Sequence, residues 1–197
     1  MSKQLKPAVL MLLLFTVITG LMYPLLTTGI SQLLFPNAAQ GNLIEQNGKV
    51  IGSALIGQQF TEAKYFWGRL SATGTYAYNA AASGGTNFGP LNPALADSAK
   101  ARIDALAKAD QAAGVKNDRA VPVDLVTSSG SGLDPHISVA SAEFQAARVA
   151  KVRGLADAQV RQLIAAHTEG KWLGLFGDAR VNVLKLNLSL DAVKTQS

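Results

Sequence analysis

The chain has 197 residues, no cysteine and a formal net charge of +5. Without cysteine it holds no thiolate zinc site, iron–sulfur cluster, thiol nucleophile or disulfide framework. Lys3 and Lys6 carry two of the five net charges, and no dense basic patch with interleaved aromatics follows, which argues against a nucleic-acid partner. Roughly 160 residues remain after a membrane segment, enough for one domain with a core. A cysteine-free exported domain of that size points to a bacterial source.

No charged residue occurs from Pro7 to Ile44. Residues 8–30 read as one transmembrane helix, because about 20 apolar residues at 1.5 Å rise cross a bilayer. Residues 1–7 precede it, and residues 31–47 read as a linker. Pro7 suits a helix start. Pro24 is expected to kink the span, and Thr16, Thr19 and Gly20 permit close helix contact. The competing reading is a cleaved leader with a site near Asn37-Ala38-Ala39, but such leaders use an apolar run of only about 7–15 residues. Lys3 and Lys6 lie before the span and no Lys or Arg follows until Lys49. The positive-inside rule then puts the N-terminus in the cytoplasm and the rest outside, as in a single-pass protein of the bacterial inner membrane with a periplasmic domain.

Residues 48–197 read as one soluble α+β domain. Residues 48–60 suggest a strand or hairpin. Residues 71–93 are rich in Gly, Ser, Thr, Asn, Ala and Tyr and read as a long, ordered loop. A first helix is expected over 93–113, with Asn92 as N-cap, Pro93 at N1, Gly114 closing it, and Leu95, Ala99, Ile103 and Leu106 as its apolar stripe. Residues 122–127 read as a short buried strand. A second helix is expected from Asp134 as N-cap and Pro135 at N1 to Gly154, with Ile137, Ala140, Phe144 and Ala147 on one face. A third covers about 157–168 and closes at Gly170. Residues 181–190 alternate with a period of two, as in a strand, but Val181 and Val183 are in the opposite phase to Leu184, Leu186, Leu188 and Leu190. That flip calls for a bulge or a strand buried on both faces.

The run T-S-S-G-S-G-L-D-P-H, 127–136, is the most unusual local feature. A strand, a Gly/Ser loop and a helix N-terminus form a phosphate-binding geometry, although no Walker lysine is present. The bland alternative is a tight turn feeding a capped helix. Ser129 and Ser131 are its candidate nucleotide contacts. Ser131, Asp134 and His136 include the residue types of a hydrolase triad, but three members within six residues do not reach triad geometry, and no G-x-S-x-G elbow is present. No catalytic residue is expected. His136 and His167 have no carboxylate or second histidine at helical ligand spacing, so no metal site is expected. The aromatics of 65–69, Y-F-W-G-R, serve as core if buried and as interface anchors if exposed.

Taken together, G-S-A-L-I-G-Q (52–58), Y-F-W-G-R-L-S-A (65–72), S-G-G-T-N-F-G-P (83–90), D-L-V-T-S-S-G-S-G-L-D-P-H-I-S (124–138), R-V-A from Arg148 and R-V-N-V-L-K-L-N-L (180–188) carry a specific resemblance. With its N-terminal anchor, essentially the whole chain resembles the C subunit of the bacterial Kdp-type potassium-transporting ATPase. One departure is Leu70, where the family typically reads R-P-S-A. The resemblance implies a non-catalytic accessory subunit needed for assembly and stability of a high-affinity potassium uptake pump. Its implied partners are a channel-like potassium-binding subunit, a P-type ATPase subunit that hydrolyses ATP, and membrane lipid; a role in guiding potassium to the channel-like subunit also follows. This chain has no D-K-T-G phosphorylation motif and no selectivity-filter-like hairpins, so no intrinsic cofactor is expected, and ATP enters only through the complex. The family is also described as a catalytic chaperone that raises ATP affinity through a glutamine in an L-S-x-x-Q element. The matching residues are Leu155-Ala156-Asp157-Ala158-Gln159, with Ala156 in place of serine. S-x-x-Q at a helix start is equally a capping box, with Gln159 at N3 and half the box lost at Ala156. The charge bias also places Gln159 outside, away from cytoplasmic ATP.

Overall fold

The computed structural model describes residues 2–193. It forms two compact units, Met1–Ser53 and Ala54–Ser197. The first is dominated by an apolar helix, Lys3–Leu34, of 32 residues, whose most apolar stretch has mean hydropathy 2.3 and is nowhere buried against the rest of the chain. At 1.5 Å per residue it is ~48 Å long, against a hydrocarbon core of about 30 Å. It comprises α1 (Ser2–Val17), a π-helical turn (Ile18–Met22) and α2 (Tyr23–Leu34). Pro7 lies inside α1 rather than at its start. The disturbance expected of Pro24 takes the form of the π turn just before it, where the Tyr23 N–H donates to the Ile18 carbonyl. Thr16, Thr19 and Thr27 donate their hydroxyls to the carbonyls of Leu12, Phe15 and Tyr23 at 2.7–2.9 Å. No polar hydroxyl of these three is left facing lipid.

Residues 31–47, expected to be a linker, carry the end of α2, the short α3 (Pro36–Ala39) and the first strand of a hairpin. That hairpin pairs β1 (Leu43–Gln46) with β2 (Lys49–Ser53), so it starts at Leu43 rather than residue 48. Its turn is Asn47-Gly48, both at positive φ (53° and 73°), the conformation a two-residue hairpin needs.

The second unit is α+β. Its helices are α4 (Pro93–Ala112), α5 (Val123–Val126), α6 (Val139–Arg153), α7 (Asp157–Ala166) and α8 (Val183–Ala192). Its sheet has three short antiparallel strands in the order β3 (His136–Ser138), β5 (Arg180–Asn182), β4 (Thr168–Glu169). Ile137 faces Val181 across the β3–β5 pair. The core gathers Leu106, Leu125, Ile137, Val149, Ile164 and Leu186 around Phe66 and Trp67. Each fully buried side chain of this size stabilises by ~1.5–3 kcal/mol.

Helix α4 starts and ends as expected. The Asn92 side chain accepts the Ala94 N–H at 3.0 Å, and Gly114 follows at φ 67°. Its stripe differs: Ile103 is exposed and Arg102 turns inward instead. Three other expectations are corrected. Residues 122–127 form the helical turn α5, not a strand; an apolar run this short fits either state, and the tertiary contacts of Asp124 decide. Its carboxylate accepts the Ser138 N–H at 2.7 Å and the hydroxyls of Ser138 and Ser141. The second helix starts at Val139, not at Asp134. Ser138 is its N-cap, accepting the Ser141 N–H, while 136–138 pair as β3. Of the expected stripe Ile137 and Phe144 are buried, but Ala140 is exposed and the inward face holds Ser141, Gln145, Arg148 and Val149. Finally, only Val181 and Asn182 of the expected 181–190 strand are extended, as part of β5. Asn182 caps α8 by accepting the Lys185 N–H, and Val183, Leu186, Asn187 and Leu190 form a buried helical face. The phase flip at Val183 marks this strand-to-helix junction. The third helix ends at Ala166, and 168–169 join the sheet as β4.

Residues 63–70 cross the core in no regular element except one bridge, Leu70–Ser128. Their backbone is held by side chains. The Asn187 carboxamide accepts the Phe66 N–H at 2.9 Å and donates to the Phe66 carbonyl at 3.0 Å. The Gln145 carboxamide does the same for Trp67, at 2.9 and 3.1 Å. Both carboxamides are buried, so each acts as a strand neighbour for one residue. Replacing Gln145 or Asn187 by Leu orphans two buried backbone groups at ~1–3 kcal/mol each. Each variant is expected to lower unfolding stability by roughly 2–5 kcal/mol in urea titrations of the detergent-solubilised chain; a loss below about 0.5 kcal/mol would contradict the clamp.

Candidate functional site

The 127–136 run is bounded by α5 before and β3 after, so no helix N-terminus opens behind the Gly/Ser loop. The loop's backbone is engaged by two other segments. The Ser129 N–H donates to the Leu70 carbonyl at 3.3 Å. The Ser131 carbonyl accepts the Gly84 N–H and the Ser83 hydroxyl, both at 2.9 Å. The Gly132 carbonyl accepts the Ser71 hydroxyl at 2.7 Å. Gly132 has φ 69°, and a Cβ there would meet Thr73 Cγ2 at 2.6 Å and the Gly84 carbonyl at 2.7 Å. The long 71–93 loop is thus ordered against 128–132.

Among the sequence candidates, Ser129 is buried, while Ser131 is exposed and accepts the Leu133 N–H on its Oγ at 3.1 Å. Gln159 sits in the first turn of α7, where its Oε1 accepts the Ala156 N–H at 3.1 Å. This is the returning half of a capping box; alanine has no oxygen for the other half. Asp157, in the same turn, pairs with Arg161 at 2.6 Å. Ser129 and Ser131 share one loop, and the hydrogen bonds around Gln159 are local to α7. The Ser131 hydroxyl engages Leu133, and the His136 ring engages carboxylates, so the triad residue types are not assembled as nucleophile and base.

The loop feeds instead into a chain of charges. Arg69 lies 3.4 Å from Asp134 and donates to the Ser128 carbonyl at 3.0 Å. Asp134 accepts the His136 N–H at 3.0 Å and faces its ring Nδ1 at 3.2 Å. The other ring nitrogen lies 3.6 Å from Glu169, which also meets Arg180 at 3.2 Å and Lys185 at 3.7 Å. Arg69, Asp124, Asp134, His136, Asp178 and Arg180, with Ile137 and Ser138 of β3, line an open cleft of about 390 Å³. Burial opposes ionisation of Asp134, but the hydrogen bonds and charge of His136, then Arg69, outweigh it and hold the carboxyl below its usual range. Glu169 behaves alike: burial raises it, and Arg180, His136 and Lys185 bring it below normal. His167, half-buried and near Lys185, is lowered by burial first and by that charge second; its Nε2 lies 2.7 Å from the Ser189 hydroxyl.

Around Trp67 lies a second polar group that sequence reading missed. The guanidinium groups of Arg102 and Arg148 both lie 4.8 Å from the ring centroid. Arg102 donates to the carbonyls of Gly68 (2.7 Å) and Leu125 (3.1 Å). Arg148 donates to Gln145 Oε1 at 2.6 Å, and its Nε lies 3.2 Å from Asp110 without hydrogen-bond alignment. Burial pulls the Arg148 guanidinium down to about 10, against Asp110, and it stays cationic at neutral pH. The available signal was polar residues at inward helical positions: Ser141, Gln145 and Arg148 recur at spacings of four and three.

The K+-transporting ATPase c chain family, KdpC, matches residues 5–192. The chain belongs to this family. Curated relatives named potassium-transporting ATPase KdpC subunit include that of Polaromonas naphthalenivorans, 61% identical over 98% of this chain and 97% of the relative. Those of Methylococcus capsulatus and Burkholderia mallei are 57% and 55% identical over 98% of this chain, covering 100% and 98% of their own lengths. The Leu70 carbonyl accepts the Ser129 N–H, and the Leu70–Ser128 bridge forms.

Two outcomes test this geometry. A Cβ at Gly57 would lie 2.3 Å from the Tyr78 ring and 2.9 Å from the Asp134 carbonyl. Tyr78 is itself fixed by its hydroxyl on the Arg69 carbonyl at 2.7 Å. Gly57→Ala is expected to cost about 1–3 kcal/mol in chemical unfolding, because neither neighbour can give way; an unchanged midpoint would contradict the packing. Asp134 and Glu169 have folded values below their ordinary 3.8 and 4.5, and His167 below 6.5. Their stabilisation is full above those ordinary values and lost as pH falls through the folded ones. The urea midpoint is therefore expected to drop first below pH 6.5 and again below about pH 4. The double variant Asp134→Asn, Glu169→Gln should flatten the second drop, and an unaltered slope would count against the charge chain.

Proposed function

We propose that the chain is a non-catalytic accessory subunit of an ATP-driven potassium uptake pump, needed for assembly and stability of the complex and for guiding potassium to a channel-like subunit. The observation that carries this is the 32-residue apolar helix, whose most apolar stretch has no side chain buried within its own chain. Such a surface takes lipid and neighbouring membrane helices as its partners. ATP hydrolysis belongs to the P-type ATPase subunit, since this sequence carries no D-K-T-G phosphorylation motif. Lys3 and Lys6 at the N-terminal end of the helix, with no Lys or Arg after them until Lys49, orient the N-terminus to the cytoplasm and the domain to the periplasm of the bacterial inner membrane. In that orientation Gln159, Ser129 and Ser131 lie across the membrane from cytoplasmic ATP, so the accessory reading stands ahead of an ATP-affinity role.

The absence of native cysteine gives a direct test. Ser83→Cys and Gln159→Cys, both at exposed positions, are expected to react with a membrane-impermeant maleimide once only the outer membrane is permeabilised. Labelling only after the inner membrane is broken would reverse the orientation. Deleting residues 8–30 while supplying a separate export signal should abolish co-purification with the channel-like subunit; an intact complex would refute the assembly role.

A further inference from the structure

Between β4 and β5 the chain makes a projecting turn, residues 171–177, whose composition is unlike any other exposed loop of this domain. Trp172, Leu173, Leu175 and Phe176 are 71%, 71%, 79% and 60% exposed. Four large apolar side chains on consecutive turns of backbone form a patch, not the scattered single residues common on surfaces. The turn is rigid. Trp172 and Phe176 exchange backbone hydrogen bonds at 2.9 and 3.0 Å, and their rings lie 5.7 Å apart between centroids, tilted at 44°. Gly174 donates to the Lys171 carbonyl and Leu175 to that of Trp172, both at 3.1 Å. Leu173 is held at φ 51°, a left-handed conformation seldom adopted by leucine. A strained apolar residue at an exposed tip indicates a shape kept for contact rather than for folding.

We propose that this turn is a docking knob that seats in an apolar pocket of another protein subunit of the same pump. The proposal rests on the reading of the chain as a pump subunit. Two observations select a protein pocket over the bilayer. First, the charges at the base of the turn cancel: Lys171 lies 4.0 Å from Asp178, and Arg180 pairs with Glu169 at 3.2 Å. Loops that bind membranes add net basic charge to their apolar residues to attract anionic lipid, and this one has none. An apolar centre ringed by neutralised polar groups is instead the anatomy of a protein interface, with Trp and Phe as its anchors. Second, the fixed backbone reduces the ordering cost of entering a pocket of matching shape, an advantage that a fluid bilayer does not require.

The test uses the complete pump in native membranes, with photoreactive benzoylphenylalanine replacing Leu175. On irradiation, the expected product is an adduct with one other pump subunit, identified by mass spectrometry. In detergent, the double variant Trp172→Ser, Phe176→Ser is expected to retain about tenfold less of that subunit, the scale of losing an interface anchor. Its two side chains are exposed, so the fold is not at stake; if recovery of the chain itself falls, the adduct on the otherwise unaltered chain decides. Adducts with lipid alone would make the turn a membrane-inserting element and overturn the proposal, as would no adduct at all. In both cases co-purification of the unaltered chain with the pump leaves the subunit reading standing. Failure of the unaltered chain to co-purify would overturn both.

Discussion

A segment without helix or strand runs through the middle of the second unit, and its backbone must still find partners there, because an unmet buried N–H or C=O costs as much as a lost hydrogen bond. Side chains from α4, α6 and α8 meet this need. Arg148 reaches the Ala63 carbonyl, Arg153 that of Lys64, Asn187 both groups of Phe66, Gln145 both groups of Trp67, and Arg102 the Gly68 carbonyl. Tyr78 then takes the Arg69 carbonyl and Ser129 that of Leu70. Three helices are thereby tied to one strand-like thread, with Phe66 and Trp67 driven into the core between them.

What lies outward from the thread inherits its position. Arg69, the last residue of the aromatic run, reaches Ser128 and Asp134, and so fixes the Gly/Ser loop and the start of the charge chain to His136 and Glu169. Tyr78, resting on Gly57 and Gly68, holds the start of the 71–93 loop against the same thread. The most distinctive segments of the sequence therefore meet in space, and they meet through structural bonds. That convergence ties the dense motifs of serine, glycine, aspartate and histidine into the frame of the domain.

Much of this was legible in the sequence. The apolar anchor, the α+β class, the Asn92 and Gly114 ends of α4, and the Gly154 end of α6, at φ 64°, follow from local rules that tertiary contacts did not overturn. The Asn47-Gly48 turn carried a hairpin signal that the reading of 31–47 as linker passed over. The failures have physical causes. Residues 184–190 alternate like a strand, but Val183, Leu186, Asn187 and Leu190 also define a helical face, and Asn182 supplies the cap that selects it. Asp134 has the chemistry of an N-cap, yet its carboxylate is taken by His136 and Arg69 and leaves capping to Ser138. The clamping roles of Gln145 and Asn187 were not legible, because their partners lie 78 and 121 residues away and no local pattern encodes such distances.

The thread holds α4, α6 and α8 of the second unit to one another through side chains. Hydrogen exchange at the Phe66 and Trp67 amides tests this most directly. Neither amide belongs to a helix or strand, so ordinary loop behaviour would make both exchange quickly. Held by the Asn187 and Gln145 carboxamides, they are expected to exchange as slowly as the buried amides of α6, through global unfolding only. Rapid exchange at both positions, with α6 still protected, would show that the thread is not clamped and that the helices hold together by some other means.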